Sequence, residues 1–219
     1  PLNPLTAKQQ QEIKTHLDTL GTKIYSPRRI EEIFASNWDL WRLPPRMRMP
    51  DLLTHLIENS ELREIVLTSP NYDKKYVRYA WGEVSVYQLS LSLRPRSYLS
   101  HHSAMYLNNL TEVPSRTLYV NCEQSPKHQD EASLEQRLIA LAFKSKPRTS
   151  KYIFIHKTWK ICCLSGSNTD NLGVVGIEEP NSGALQVTNI ERTLIDITVR
   201  PFYSGGTGRV QKAYIKAKG

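Results

Sequence analysis

The stretch that most restricts how this chain can fold is residues 63–81. Two β-branched and aromatic runs, Arg63–Thr68 and Lys75–Trp81, flank Ser69-Pro70-Asn71-Tyr72-Asp73. Pro fixes one turn dihedral and Asn tolerates the left-handed region, so this is turn chemistry between two strands. Three short helical segments lead into it. Thr6 with Gln9 makes a capping box for the first, Ile13, Leu17 and Leu20 recur at helical spacing, and Gly21 is a natural stop. Ser26-Pro27 sets a cap and a first-turn Pro for the second, whose apolar side is Ile30, Ile33 and Phe34. The Trp-rich stretch from Asn37 ends in Pro44-Pro45, which breaks that helix. The third runs from about Pro50 to Asn59 with Leu52, Leu53, Leu56 and Ile57 inward. Three short helices followed by a β-hairpin is the element order of a winged helix-turn-helix. The third helix would then read a groove and the hairpin would be the wing.

The organisation changes near Gly82, where we draw a boundary between residues 1–82 and 83–219. Ser85 to Leu93 fits either a short helix or a buried strand. Ser97 to Leu110 reads as helical and Arg116 to Asn121 as a strand. Gln124 to Ala132 is a polar loop, and Ser133 with Gln136 opens a helix to about Lys144. Tyr152–Ile155, Lys160–Leu164 and Val174–Ile177 are further strands, with a turn at Gly166-Ser167-Asn168. Ile190 to Thr198 is a helix. The fold class expected is α+β, a winged helix-turn-helix followed by a mixed α/β domain.

With 39% hydrophobic and 23% charged residues, the 219-residue chain has a folded composition. Its mean hydropathy is −0.47, and no apolar run approaches the roughly 18 residues of a membrane span. The start, Pro1-Leu2-Asn3-Pro4, has no signal-peptide pattern. Three cysteines, Cys122 and the adjacent Cys162 and Cys163, without a Cys-x-x-Cys, argue against a disulfide framework or structural zinc. A reducing, cytoplasmic setting without a membrane partner is the expectation.

The net charge of +8 invites a polyanion. Residues 1–82 carry 12 Lys/Arg against 10 Asp/Glu, and residues 83–219 carry 17 against 11. Within the first part, Arg42, Arg46 and Arg48 cluster just before the third helix, and Lys74, Lys75 and Arg78 lie on the proposed wing. Helix N-termini and wings are where phosphates are held. On the third helix, Asp51, Thr54, His55 and Glu58 occupy the polar side, and Thr54 and His55 are the chosen base-contact candidates. A denser basic run follows from Gln136 to Thr169. It holds Arg137, Lys144, Lys146, Arg148, Lys151, Lys157 and Lys160 and no acid, interleaved with Tyr152, His156 and Trp159. Lys144, Lys146, Arg148 and Lys151 complete the candidate DNA-binding set. For each cluster, an ordinary solvated face is the alternative.

Catalytic patterns are poor. Adjacent helical residues point about 100° apart, so His101-His102 cannot chelate one metal together. No His-x-x-x-His or Asp-x-Asp accompanies them, and Gly205-Gly206-Thr207-Gly208 lacks the phosphate-loop Lys. Cys162 and Cys163 sit in an apolar strand, where burial makes thiols inert. Glu191 and Asp196 are five apart on one helix and form no acid–base pair. No enzyme activity, metal or cofactor is expected. A nuclease would need clustered carboxylates at metal-site spacing.

Val187-Thr188-Asn189-Ile190-Glu191-Arg192-Thr193-Leu194-Ile195-Asp196-Ile197 resembles the Glu-Arg-Thr-Leu-Ile-Asp signature of the AbiEi antitoxin family. Arg200-Pro201-x-Tyr203-x-Gly205-Gly206 continues it. Upstream, Tyr98-Leu99-Ser100-His101-His102-Ser103-Ala104-Met105, Leu118-Tyr119-Val120 and the basic segment Ala142 to Tyr152 are similar to that family in the same order. The resemblance covers about residues 83–219. It implies an antitoxin of a type IV toxin–antitoxin system, acting in abortive infection as phage defence. Such a protein binds double-stranded operator DNA with inverted repeats, represses its own operon and counteracts a nucleotidyltransferase-like toxin. Members of this look continue past the Lys212-Ala213-Tyr214 helix, so the resemblance also implies a last segment beyond Gly219. The alternative function is a protein-interaction module whose basic C-terminal face docks an acidic partner without reading DNA sequence.

Overall fold

A computed structural model describes residues 5–126, 135–144, 149–179 and 183–218. The chain begins with α1 (Ala7–Thr19), β1 (Ile24–Tyr25), α2 (Pro27–Asn37), α3 (Met49–Asn59), β2 (Leu62–Ser69) and β3 (Tyr72–Trp81). The expected local chemistry sets these helices. Thr6 and Gln9 form the reciprocal capping box of α1, and Ser26 caps α2 with Pro27 in its first turn. β2 and β3 pair antiparallel from Leu62↔Trp81 to Ser69↔Tyr72, so the turn narrows to Pro70-Asn71. The two-residue β1 closes on the far side of β3.

The remaining elements are α4 (Val86–Leu91), β4 (Tyr98–Leu99), α5 (His101–Leu107), β5 (Thr117–Glu123), α6 (Gln136–Lys144), β6 (Ile153–His156), β7 (Trp159–Gly166), β8 (Val174–Glu179), β9 (Gly183–Thr188), α7 (Ile190–Val199) and α8 (Thr207–Lys218). A 3-10 turn, Pro201–Ser204, joins the last two helices. All nine strands lie in one sheet of order β1-β3-β2-β6-β7-β5-β4-β9-β8. The fold is thus mixed α+β. Parallel neighbours are β5 with β7 and β4 with β9.

Two features differ from the expectation, and one open alternative is decided. Ser97 to Leu110 is not one helix. Tyr98 and Leu99 are a buried strand between β5 and β9, and α5 starts only at His101, where the backbone turns at φ +50°. Buried pairing on both sides overrides the helical spacing there. Ser85 to Leu93 resolves as helix, because Ser85 and Gln88 form a capping box for α4. β9 is a further strand, with Leu185 and Val187 buried on either side of exposed Gln186, and it pairs with β8 and β4. The helix start expected at Ser133 lies outside the described residues, and α6 covers Gln136–Lys144.

Alternation along β3 explains the packing. Tyr79 and Trp81 face a core built by Ile13, Leu17, Ile30, Phe34, Trp41, Leu52 and Leu56 of the first three helices and their connections. Tyr76 and Ala80 face the other way, into a second core. That second core runs along one face of the sheet through Ile24, Leu67, Phe154, Ile161, Cys163, Val120, Leu99 and Val187, with Leu89 of α4 upon it. It continues across Gly82, where φ +69° reverses the chain out of β3. On the opposite face of the later strands, Cys162, Leu164 and Tyr119 meet Tyr203. Beyond them Met105, Ile197, Val210 and Ala213 join α5, α7 and α8.

Candidate functional site

The basic residues singled out in the sequence divide according to what else holds them. Arg42 and Arg46 are exposed, and Arg42 sits at φ +51° with its carbonyl accepting from Gln9 Nε2 at 2.7 Å. Arg48 is committed. Its Nε and Nη2 donate to the Asp51 carboxylate at 3.0 and 3.2 Å, and its backbone N–H donates to the same group. Asp51 is therefore the first-turn capping acid of α3, and the Arg48 contact lowers its pKa. An acid in that position is what the helix end requires.

On α3 itself, Thr54 and Glu58 are exposed one turn apart. His55 is half-buried, with its Nε2 3.2 Å from Gln10 Nε2 and its Nδ1 3.5 Å from Asn59 Nδ2. Its ring faces α1, so it ties two helices together, whereas Thr54 is exposed.

On the hairpin, both lysines lie in the irregular stretch of β3 opposite Thr68, where the register shifts between Leu67↔Tyr76 and Ser69↔Tyr72, and Lys74 Nζ lies 5.8 Å from the Tyr76 ring. Both lysines are exposed. Arg78 is half-buried and donates to the carbonyls of Ser92, Leu93 and Val77. Burial pulls its pKa down, and its fork fastens β3 to the end of α4. Phosphate contact would require it to break those bonds.

The hairpin tip is where the two basic runs meet. Thr68 pairs with Ile155 of β6, and Asn71 Nδ2 donates to the Lys151 carbonyl at 2.8 Å. Tyr72 stacks on Tyr152 with ring centroids 5.8 Å apart, and Tyr76 meets Phe154 edge-on at 4.7 Å. Exposed Lys151 therefore adjoins the Pro70-Asn71 turn, with Lys74 and Lys75 farther along β3. Lys144 is exposed in the last turn of α6, while Lys146 and Arg148 lie outside the described residues. Just before β5, Arg116 stacks its guanidinium 5.0 Å over Trp159 at the start of β7.

A polar network has almost no signature in the sequence. Arg192 of α7 donates to Asp196 at 2.9 Å, Thr169 Oγ1 at 2.8 Å and the Leu172 carbonyl at 2.7 Å, and lies 3.4 Å from the Tyr98 hydroxyl. Glu123 accepts from the backbone N–H groups of Thr169 and Asn171, the Thr169 hydroxyl and Tyr98 Oη. Asn121 Nδ2 closes the ring onto Tyr98 Oη at 2.6 Å. Burial works to raise both carboxyl pKa values. At Asp196 it prevails over the Arg192 contact, whereas at Glu123 the Thr169, Asn171 and Tyr98 bonds outweigh it and hold the carboxyl below its ordinary range. The donors of Arg192 are occupied, so the network is a clamp joining α7, β4, β5 and the loop before β8. Its one sequence signal is Arg192 and Asp196 at i, i+4 beside the inward positions Thr193 and Ile197.

The His101 ring is buried with Nδ1 3.0 Å from Ser100 Oγ and an edge-on contact to Tyr203. Burial, with Arg200 and Arg192 nearby, pulls its pKa down to about 3. His102 is turned elsewhere, with Nε2 3.5 Å from Arg209. The adjacent thiols point to opposite sheet faces, and burial pushes Cys162 up to about 11 and Cys163 up to about 12. Among the described residues, no group of three or more His, Cys, Asp or Glu is placed to hold a metal, and no helix is long and apolar enough to cross a membrane. Comparison with known protein families and with curated proteins finds no match to this chain.

Proposed function

We propose that this chain is a DNA-binding regulator whose residues 5–82 form a winged helix-turn-helix. In this reading it binds a duplex operator with inverted repeats, represses a toxin–antitoxin operon and antagonises a nucleotidyltransferase-like toxin. The order α1-β1-α2-α3-β2-β3, with β1 paired to β3, supports the winged arrangement. The observation that carries the DNA reading is the Asn71–Lys151 contact, which joins the hairpin lysines to the second basic run at one end of the sheet. The antitoxin role rests on the motif resemblance of residues 83–219. Among the described residues of the candidate set, Arg42, Arg46, Lys74, Lys75, Lys144 and Lys151 are exposed cations available to phosphates, and Thr54 is an exposed polar group on α3.

Fluorescence anisotropy tests this with the duplex upstream of the chain's own gene against a scrambled duplex, over a salt series. A sequence reader binds the native duplex at least about tenfold more tightly, with a steep negative salt slope. Lys74→Ala, Lys75→Ala and Lys151→Ala together flatten that slope by about one unit for each phosphate no longer neutralised. Equal weak binding to both duplexes refutes the operator reading.

A further inference from the structure

The α7–α8 end of the molecule carries its own surface chemistry, independent of the DNA reading. Of the fifteen large hydrophobic residues exposed among the described residues, six fall between Ile190 and Ile215. Ile195, Val199 and Phe202 recur at i, i+4 and i+7 along α7 and the turn that follows it, with Ile195 58%, Val199 63% and Phe202 54% exposed. On α8, Ile215 is 74% exposed. The two helices touch through Thr198 Oγ1 and Tyr214 Oη at 3.0 Å. Helical phase puts Ile195 and Ile215 on the outer side of that contact, one on each helix. Beneath lies the packed core of Met105, Leu110, Ile197, Val210 and Ala213, so the surface rests on rigid elements.

Glu191 and Asp196 lie on α7 itself, but beyond Asp196 the charge along the chain has one sign. From Ile197 to Gly219 the sequence holds Arg200, Arg209, Lys212, Lys216 and Lys218 and no acid. Lys216 is paired with Glu112, and Arg209 leans toward His102. Among the described residues no ion pair engages Arg200, Lys212 or Lys218. Patches of exposed aliphatic side chains with a polar rim mark interaction sites. An apolar ridge on α7 with Ile215 of α8 beside it, and Arg200, Lys212 and Lys218 around them, fits one amphipathic helix with acids on its flanks. The Thr198–Tyr214 hydroxyl pair between the two helices and the exposed acid Glu191 at the start of α7 fit a protein partner better than an anionic bilayer.

We infer that the α7–α8 face is a docking surface for an acidic amphipathic helix of a partner protein. The probe is a fluorescein-labelled Glu-rich peptide with Leu at i, i+3, i+4 and i+7, titrated with the full chain. Control peptides replace Leu by Ser or Glu by Lys. Saturable binding of the acidic Leu peptide, absent for both controls, is expected. Ile195→Ser with Ile215→Ser, and separately Lys212→Glu with Lys218→Glu, each weaken it by about tenfold or more while the circular dichroism and the DNA anisotropy stay unchanged. Equal binding of the Leu→Ser peptide, or indifference to the isoleucine pair, overturns the inference. So does a concentration-dependent dimer abolished by Ile195→Ser with Ile215→Ser, which would make a second copy the occupant. Cosedimentation with phosphatidylserine vesicles that depends on the same residues would make it a membrane surface, and also overturns it.

Discussion

A buried histidine states the pH dependence of this protein most directly. His101 titrates near 6.5 when unfolded and is pulled down to about 3 in the fold, chiefly by burial. The unfolded chain therefore binds the proton first, so the stabilisation is complete above pH 6.5 and is lost as pH falls toward 3. At pH 4 the loss from this one group is about 3 kcal/mol. Urea midpoints measured from pH 7 to pH 4 should fall in the wild type and fall less in His101→Asn, which tolerates the φ +50° backbone. Parallel pH curves for the two proteins would remove His101 as the sensor. Ser204 makes the opposite case. Its Oγ is buried without a hydrogen-bond partner among the described residues. Burying an unmatched hydroxyl costs free energy, so Ser204→Ala should leave the melting temperature unchanged or raise it slightly. A loss of about 1 kcal/mol or more would point to a partner for that hydroxyl.

At the scale of elements, local signals were legible and long-range pairing was not. Thr6 with its reciprocal partner Gln9, and Ser26 with Pro27, define helix starts that neighbours along the chain alone can set, whereas the pattern of Ser85 to Leu93 left helix and strand open. β4 is two residues long and exists because β5 and β9 flank it, which no window of sequence contains. The same distinction holds for the candidate site. The clustering of Arg42, Arg46, Lys74 and Lys75 was readable from spacing. The commitment of Arg48 to Asp51, of Arg78 to the end of α4 and of His55 to Gln10 depends on which face each side chain turns to. Gly173 is a further residue whose reason lies in packing. It adopts φ +74°, a Cβ there would come 2.7 Å from Arg192 Cβ, and its carbonyl accepts the N–H of Asn189, the cap of α7. Gly173→Ala should therefore cost about 2–3 kcal/mol and displace the Arg192 clamp. Gly183→Ala shares the positive φ but meets open space, so it should cost only about 1 kcal/mol. Thermal denaturation of the pair measures the difference, and equal losses would mean backbone strain accounts for both.

At the scale of the whole molecule, the seam between the first three helices and the rest of the chain has a thin hydrogen-bonded part and a thick apolar one. One pair of residues, Thr68 and Ile155, joins β2 to β6 in register. The apolar core on that face is continuous, however, and Leu67 of the hairpin is fully buried in the same cluster as Phe154, Ile161 and Val120. Burial of side chains from both sides of Gly82 in one cluster couples their unfolding, because a cavity on one side deprives the other of its packing. The hairpin then acts as a rigid bracket, and the lysines at its tip keep a fixed position relative to Lys151. Leu67→Ala should destabilise by about 2–5 kcal/mol. Hydrogen exchange can then locate where that loss is felt. Exchange should speed up in β5 and β7 as well as in α2 and β3, by comparable factors, because the two sides open together. Acceleration confined to the first three helices and the hairpin would mean that the seam yields first and the two sides unfold separately. In that case the tip lysines are not fixed relative to Lys151, and the triple lysine variant should flatten the salt slope of DNA binding no more than Lys74→Ala with Lys75→Ala does.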